Sequence, residues 1–257
     1  MLDTAKMARV IAICSGKGGT GKTVSAINLG IALNSLGKKV AIVDANFTMP
    51  NIALYLGAPS PPITISHVLQ GKASIAEAIY LHYSGVHVIP GSISLKAIPS
   101  EVRTSDLNRI INSLKRKVDF VIIDTAPGLS KEVLQVLRIV DEIIIVTNPE
   151  LPAVTDALKT IRMAEKMKKK VIGTVITKIK YDKKEMTLRS IKNMLEAVIL
   201  AKIPYDDNIR ESIIKKNAVM ITAPKSKAAE AYKKLAIKIL KAVSYTHLRA
   251  HETRHDL

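Results

Sequence analysis

A glycine-rich segment near the start of the chain carries the residue types that bind a phosphate group. Residues 15–23 read Ser-Gly-Lys-Gly-Gly-Thr-Gly-Lys-Thr and fit the spacing Gly-x-x-x-x-Gly-Lys-Ser/Thr from Gly16 onward. Glycines let the backbone wrap a phosphate, with its N–H groups and the next helix N-terminus directed at the anion. Lys22 then reaches the β- and γ-phosphates, and Thr23 offers its hydroxyl to Mg²⁺. The predicted phosphate contacts are Gly16, Lys17, Gly18, Gly19, Thr20, Gly21, Lys22 and Thr23.

A second lysine, Lys17, lies five positions before Lys22, and an ordinary phosphate-binding loop does not require it. The two-lysine sequence Lys-Gly-Gly-Thr-Gly-Lys-Thr resembles the deviant Walker A loop of the MinD/ParA ATPases, a family that also includes nitrogenase iron proteins and Mrp-type carriers. The resemblance implies that ATP and Mg²⁺ bind here. It also implies a homodimer in which Lys17 reaches the partner's phosphates, as an arginine finger does. Lys17 and Lys22 are therefore predicted to be catalytic.

Two aspartates follow apolar runs that predict buried strands. Asp124 ends the run at residues 120–123 as a Walker B aspartate does, and a carboxylate there holds Mg²⁺ directly or through water. Residues 43–51 resemble the family's switch I, whose first aspartate, here Asp44, is commonly linked to the metal shell. We therefore predict a metal site formed by Thr23, Asp44 and Asp124.

The second switch I position departs from the family pattern. Family members usually carry Asp-x-Asp, and the second aspartate positions or activates the attacking water, whereas this chain has Asn46 there. An amide cannot accept a proton as a carboxylate does, but it can orient water, as a glutamine does in some GTPases. We predict a catalytic role for Asn46 with slow hydrolysis. The alternative is that Asn46 only shapes the turn.

Three further segments resemble parts of the family's nucleotide site. Gly128 follows the Walker B strand as a switch II glycine does, and its N–H could sense the γ-phosphate. A strand end that often reads Asn-Arg in the family is Thr-Lys at residues 177–178, which weakens recognition of adenine. Residues 203–212 resemble the loop on the base side, although Asp206 alone could equally cap a helix. The predicted nucleotide contacts are Gly128, Thr177, Pro204 and Asp206.

The elements that position these residues alternate between strand and helix along the chain. Apolar runs predict strands at 10–14, 40–44, 86–89, 120–124, 142–147, 171–177 and 197–203. Helices are predicted at 23–36, 105–117, 130–140, 153–168, 186–195, 209–216 and 226–242. This alternation predicts an α/β fold of three layers, with a mostly parallel, doubly wound sheet flanked by helices. Ligands of such sheets bind beyond the carboxyl ends of the strands, where the phosphate-binding loop and both aspartates are expected.

The limits of the domain follow from composition and from the ends of the chain. One domain, residues 1–242, is predicted, with a natural start at Met7 as an alternative. Residues 243–257 resemble a translated sequencing adapter rather than protein, so they are excluded from the fold prediction. The start of the chain lacks the apolar segment of a signal peptide, and one cysteine, Cys14, excludes a disulfide framework. These features favour the cytoplasm, with reversible association with the inner face of the membrane as a further expectation.

Positive charge is concentrated in the second half of the chain. The net charge is +17, and residues 1–150 have 15 Lys/Arg against 11 Asp/Glu, whereas residues 151–257 have 24 against 11. A basic half suggests an anionic partner, either nucleic acid or a membrane surface; a solvated surface is an equally good interpretation. Aromatic residues are only 4% of the chain, which argues against stacking on single-stranded bases.

The resemblance, which covers roughly residues 7–242, favours a MinD-like ATPase. Such a protein forms an ATP-dependent dimer, hydrolyses ATP to ADP and phosphate, meets a regulatory protein partner and determines the site of cell division. Residues 147–150, 155–157 and 204–212 support this branch. The alternatives are a ParA-like partition ATPase that binds DNA non-specifically, a regulator of flagellar number or placement, and a nucleotide-dependent scaffold with negligible turnover. One cysteine and one phosphate-binding loop argue against iron–sulfur carriers and arsenite-pump ATPases.

Overall fold

The computed structural model describes residues 8–252 except Pro59 and Ser100, and it describes side chains up to residue 241 except that of Leu95. The predicted alternative start at Met7 lies outside the described residues, and so do the last five residues of the adapter-like segment. Among the described helices, none combines the length and the apolar composition needed to cross a bilayer.

One mostly parallel sheet organises the described residues. Its strands are β1 (Arg9–Cys14), β2 (Val40–Ala45), β3 (Tyr80–Leu81), β4 (His87–Ile89), β5 (Phe120–Thr125), β6 (Glu142–Thr147), β7 (Lys170–Ile179) and β8 (Ile199–Pro204). Their order across the sheet is β3-β4-β2-β5-β1-β6-β7-β8. Only the pair β3 and β4 at one edge is antiparallel among the described strands. The predicted α/β fold with a mostly parallel sheet is confirmed.

Helices cover both faces of the sheet. They are α1 (Lys22–Ser35), α2 (Ile52–Tyr55), α3 (Ile65–Leu69), α4 (Thr104–Lys115), α5 (Lys131–Ile139), α6 (Leu151–Lys166), α7 (Leu188–Leu195), α8 (Asp207–Ile214), α9 (Val219–Thr222) and α10 (Lys227–Glu252). One apolar cluster joins the sheet to α3, α4, α5, α6 and α7, and a second joins it to α1, α9 and α10.

The alternation of side chains along each strand builds these two clusters. In β1, Val10 and Ala12 belong to the first cluster, whereas Ile11 and Ile13 belong to the second, and all four are buried. A strand buried on both faces needs an uninterrupted apolar run, which explains the Val/Ile-rich segments of the sequence. Full burial of each Val or Ile side chain contributes about 1.5–3 kcal/mol.

The register of the central strands brings the predicted chemical groups to one edge. Asp44 in β2 is the direct neighbour of Asp124 in β5, and Asp124 is also the neighbour of Ile13 in β1. The phosphate-binding loop leaves β1 immediately after Cys14. The three segments therefore meet at the carboxyl edge of the sheet, as the strand pattern predicts.

Several short elements were not predicted. They are β3, α2 and α3, between β2 and β4, and α9 near the end of the domain. At the start of α3 the backbone N–H of Thr64 donates to His67 Nδ1 at 3.1 Å, which caps a helix of only five residues. At the other end of the chain, α10 continues ten residues beyond the predicted helix end at 242, through part of the segment excluded from the fold prediction.

Candidate nucleotide-binding site

The phosphate-binding loop between β1 and α1 forms an open cradle. Gly19 and Gly21 have φ angles of +77° and +86°, in the left-handed region that glycine adopts without strain. Within the described part of the chain, the backbone N–H groups of Gly18, Gly19 and Gly21 donate to no protein acceptor, and the buried hydroxyl of Thr20 has no partner. A Cβ added at Gly18 or Gly19 would meet no atom within 4 Å. Free donors around open space fit a bound phosphate.

Two neighbouring segments pack against the back of this loop. A Cβ at Gly16 would lie 2.3 Å from the backbone carbonyl carbon of Asp156 in α6, so only glycine fits this contact. Gly128 donates its backbone N–H to the carbonyl oxygen of Ser15 at 2.8 Å. A contact between the Gly128 N–H and a γ-phosphate requires this hydrogen bond to open, and it stays a prediction.

Lys22 and Thr23, the last two residues of the motif, both contact Asp124. The Lys22 ammonium lies 2.7 Å from Asp124 Oδ1, and the Thr23 hydroxyl donates to Asp124 Oδ2 at 2.6 Å. Both members of the ion pair are buried, at 8% and 1% side-chain exposure. A buried pair of this kind is costly to break but can exchange one charged partner for another. The structure thus brings together the groups that the sequence assigns to phosphate and metal.

Asp44 is a fully buried carboxylate beside Asp124. Its oxygens accept backbone N–H groups of Asn46 at 3.1 Å, Asn51 at 3.0 Å and Ile52 at 3.0 Å. Burial, and then the negative charge of Asp124, raise the pKa of Asp44 to about 7, although the backbone donors and Lys22 act in the opposite direction. Two carboxylates crowded in a buried site favour the arrival of a cation.

The donor set is suited to Mg²⁺ bound together with a nucleotide. Thr23, Asp44 and Asp124 offer oxygen atoms, which are the ligands that Mg²⁺ prefers. The described residues contain no group of three or more His, Cys, Asp and Glu side chains that could hold an ion. Because Mg²⁺ usually keeps several waters and takes its other ligands from phosphates, this small set fits a nucleotide-bound ion.

Asn46 uses both ends of its side chain to close a turn. Its amide nitrogen donates to the carbonyl oxygen of Met49 at 2.7 Å, and its amide oxygen accepts the N–H of Met49 at 3.2 Å. The side chain is buried. This geometry supports the alternative that Asn46 shapes the switch I turn, and its catalytic role stays a prediction.

The predicted contacts on the base side are engaged with the protein itself. Thr177 is 3% exposed and donates its hydroxyl to the carbonyl oxygen of Thr20 at 2.6 Å. Asp206 caps α8 by accepting the N–H of Asn208 at 3.0 Å, and it also accepts the N–H of Ala228 at 3.0 Å. Pro204 ends β8 beside these groups. The cap interpretation of Asp206 therefore has direct structural support, while contact of these residues with a base stays a prediction.

Two charged residues at the rim of the loop, Glu150 and Lys178, were given no role in the site by the sequence analysis. The ammonium of Lys17 lies 3.2 Å from Glu150 Oε2, and both side chains are exposed to solvent. Lys178 donates to the carbonyl oxygen of Gly19 at 2.7 Å. Glu150 follows β6 and Lys178 lies near the carboxyl end of β7, and both strands were predicted. Strand position was therefore an available signal, but the contacts themselves depend on the fold.

Comparison with known proteins agrees with this geometry. A family model described as "ParA: NUBPL iron-transfer P-loop NTPase" matches residues 6–240. The chain is 36% identical over 236 residues to an uncharacterized ATP-binding protein of Methanocaldococcus jannaschii, covering 92% of this chain and 89% of that protein. It is 33% identical over 213 residues to the septum site-determining protein MinD of Thermotoga maritima, covering 79% of this chain and 78% of that one.

A solved structure shows the same fold. MinD of Pyrococcus horikoshii complexed with Mg-ADP superposes with a TM-score of 0.87 at 34% identity, covering 92% of this chain and 98% of that one. Sequence, fold and the open two-lysine loop lead to the same conclusion: the chain belongs to the ParA family of P-loop NTPases.

Proposed function

We propose that the protein is a MinD-like ATPase that binds ATP with Mg²⁺, dimerises around the bound nucleotides and hydrolyses ATP slowly to ADP and phosphate. The observation that carries the proposal is the open loop cradle, which has a buried Lys22 at its base and an exposed Lys17 at its rim. The Mg-ADP complex of the Pyrococcus horikoshii relative supports the choice of ligand.

Different residues of the cradle bind the phosphates and the metal ion. The loop N–H groups and the N-terminus of α1 hold the phosphates, and Lys22 turns from Asp124 toward their oxygens. Asp124 keeps the Thr23 hydroxyl oriented toward the metal. Bound Mg²⁺ supplies positive charge that offsets the charge of the phosphates.

Lys17 is free to serve a second subunit. Its pairing with Glu150 is an exposed one, with the two side chains 37% and 58% accessible. Exposed ion pairs contribute only about 0–1 kcal/mol, so the exchange of Glu150 for a partner's phosphate costs little. An ammonium at the rim therefore suits a dimer that closes over the nucleotide, and ATP binding would switch the population from monomer to dimer.

We propose slow hydrolysis because of Asn46. The amide cannot take a proton from water, and both of its polar ends are held by Met49. A long-lived ATP-bound dimer would follow, with a regulatory protein partner as the trigger for turnover. In the limit of negligible turnover the protein would act as a nucleotide-dependent scaffold.

The biological role that we propose is spatial regulation of cell division. It rests on similarity to a septum site-determining MinD over most of both chains. A cytoplasmic location with reversible, peripheral binding to the inner face of the cell membrane belongs to the same proposal. Regulation of flagellar number or placement is a related alternative.

A second candidate, ParA-like partition with non-specific DNA binding, is favoured by one structural observation. A cleft of about 450 Å³ lies between β8 and α10 at the edge of the sheet. Four exposed lysines line it, and Glu230 is the only acidic residue among the lining residues; the lysines are Lys202, Lys227, Lys234 and Lys238. Such a groove could contact phosphates along a duplex.

Iron transfer, to which the name of the family model refers, has less support in this chain. Iron–sulfur clusters are held by sets of cysteines, and the chain contains one cysteine. Cys14 is buried in β1, and burial raises its pKa to about 11, so the thiol stays protonated at neutral pH. An ATP-driven switch therefore remains the better proposal.

Analytical ultracentrifugation with Mg-ATP tests the proposed switch. The wild-type protein is expected to form a dimer with ATP and a monomer without it. Lys22→Ala is expected to lose ATP binding, and Lys17→Ala to bind ATP but remain monomeric. Phosphate release by Lys17→Ala is expected to fall by about 10³-fold or more, in the range for arginine fingers.

The matched control is Lys117→Ala, which removes an exposed lysine just before β5, at the amino edge of the sheet. It should dimerise as the wild-type protein does. A normal ATP-dependent dimer of Lys17→Ala would contradict the role of Lys17. Micromolar ATP binding by Lys22→Ala would contradict the phosphate site itself. If the wild-type protein releases phosphate no faster than Lys22→Ala does, the nucleotide-dependent scaffold becomes the better proposal.

A further inference from the structure

The carboxyl end of β7 contacts the outer side of the phosphate-binding loop at two successive carbonyl groups. The hydroxyl of Thr177 donates to the carbonyl oxygen of Thr20 at 2.6 Å, and the ammonium of Lys178 donates to that of Gly19 at 2.7 Å. Thr177 also lies 3.6 Å from the position that a Cβ on Gly21 would occupy. Two adjacent residues of one strand thus hold two adjacent peptide groups of the loop.

Because the peptide group is planar, a contact that fixes the direction of a carbonyl group also fixes the direction of the next residue's N–H. In a trans peptide the C=O of one residue and the N–H of the next point in opposite directions. Holding the C=O of Gly19 outward directs the N–H of Thr20 inward, and holding the C=O of Thr20 outward directs the N–H of Gly21 inward. The positive φ angles of Gly19 and Gly21 allow the chain to adopt these orientations.

The end of β7 is distorted where it makes these contacts. Lys178 has a φ of 56°, a left-handed conformation that non-glycine residues adopt infrequently. The pairing of β7 with β8 is interrupted between Ile176 and Ile179. Strained backbone of this kind persists where surrounding structure holds it, and it is concentrated at functional sites.

We infer that Thr177 and Lys178 are positioning residues, which hold the carbonyl groups of Gly19 and Thr20 outward so that the loop N–H groups face a phosphate. The inference rests on the proposed function, because it assumes that the cradle binds a triphosphate. It gives Thr177 a role that is independent of the base. The Thr177 side chain is buried, and the carbonyl oxygen of Thr20, at 2.6 Å, is nearer to its hydroxyl than the two other acceptors, Thr147 O and Asn148 Oδ1, both at 3.3 Å. Consequently both residues act on phosphate affinity without touching the nucleotide.

Titration calorimetry with Mg-ATP, Mg-GTP and inorganic tripolyphosphate tests this inference. Thr177→Val keeps the shape of the side chain without its hydroxyl, and Lys178→Met keeps the stem without its charge. Each variant is expected to raise the Kd for all three ligands by a similar factor of about three to ten, the effect of one lost hydrogen bond. In steady-state hydrolysis KM should rise while kcat changes little.

Three matched variants serve as controls. Thr177→Ser and Lys178→Arg keep a donor and should restore most of the affinity. Lys180→Met removes the same charge two residues further on, where the ammonium lies over the ring of Tyr205, 5.0 Å from its centroid. It should leave all three affinities unchanged. Because Lys178 is exposed, its variants remain informative even if Thr177→Val fails to fold.

Each other outcome overturns the inference in a distinct way. A loss confined to ATP, with tripolyphosphate binding intact, would make Thr177 a base-reading residue. An equal loss in Lys178→Met and Lys180→Met would mean that only the local charge matters. Normal affinities in both test variants would mean that the loop holds its shape unaided. Failure of the wild-type protein to bind any triphosphate would instead refute the proposed function.

Discussion

At the scale of single residues, Asn46 is the position at which the sequence predicts a departure from the family's switch I pattern, with an amide where a second aspartate is expected. Its two hydrogen bonds to Met49 close the turn at residues 46–49. A carboxylate at this position would keep the acceptor for the Met49 N–H but would lose the donor. The same substitution thus loosens the turn and adds a group that can take a proton from water.

Asn46→Asp is therefore expected to raise the single-turnover rate of ATP hydrolysis by about 10²-fold, the lower end of what a general base contributes. Quenched-flow measurement of phosphate formation would check this. Asn46→Ala loosens the turn without adding a carboxylate, so its rate should not rise. If both variants accelerate equally, the mobility of the turn limits the reaction rather than the missing base.

The sequence predicts which residues gather at the site better than it predicts what each one contacts. The sequence places Lys22, Thr23 and Asp124 together, because the phosphate-binding loop follows β1 and Asp124 lies near the end of β5, at the same edge of the sheet. It does not place Thr177 against Thr20, since that contact joins residues 157 positions apart. Hydrogen-bond partners that are distant in the chain depend on strand order, which residue types alone do not encode.

At the scale of elements, the amino edge of the sheet has its own anchor for the last helix. Arg9 at the start of β1 forms an ion pair with Glu142 at the start of β6. The same guanidinium donates to the carbonyl oxygen of Ile239 in α10 at 2.9 Å. Lys170 of β7 also contacts Glu142, at 3.1 Å. The cluster therefore ties three strands and α10 together at the edge opposite the phosphate-binding loop.

Arg9→Met is expected to lower the free energy of unfolding by about 2 kcal/mol, because it breaks a partly buried pair and leaves the Ile239 carbonyl without this donor. Urea denaturation would measure the loss. The control is Arg162→Met, whose exposed guanidinium contacts Glu165 and Glu196; its cost should stay below about 1 kcal/mol. Equal losses would mean that the cluster is no more than a surface ion pair. ATP affinity should be unchanged in both variants.

The elements that the sequence missed are all short, although the three-residue β4 was predicted from the run at 86–89. The runs that became β1, β2, β5 and β6 are continuous apolar segments, and their observed bounds agree with the predicted ones to one residue at each end. By contrast, β3 has two residues and α2 has four. A helix of one turn is unstable by itself, so such elements form only because the rest of the fold packs around them.

At the scale of the whole molecule, positive charge is concentrated in the second half of the chain. Part of it lies at the β8 edge of the sheet. Residues 151–257 hold 24 of the 39 Lys/Arg side chains. The cleft between β8 and α10 gathers four of them, and Lys238 donates to the carbonyl oxygen of Ile199 at the start of β8. If this cluster binds a polyanion, the binding affinity should fall steeply with salt concentration and should depend on these lysines. If it is only a solvated surface, these lysines should matter no more than others.

Two triple variants with the same change of charge distinguish these interpretations. Lys202, Lys227 and Lys234 line the cleft, whereas Lys72, Lys96 and Lys131 are exposed in the first half of the chain. Replacing the first set by Gln should lower the salt concentration that elutes the protein from heparin much more than replacing the second. With ATP and duplex DNA, each lost phosphate contact should reduce the slope of log K against log salt by about 0.9. Equal elution of the two variants would establish a solvated surface and remove the support that the cleft gives to the partition function.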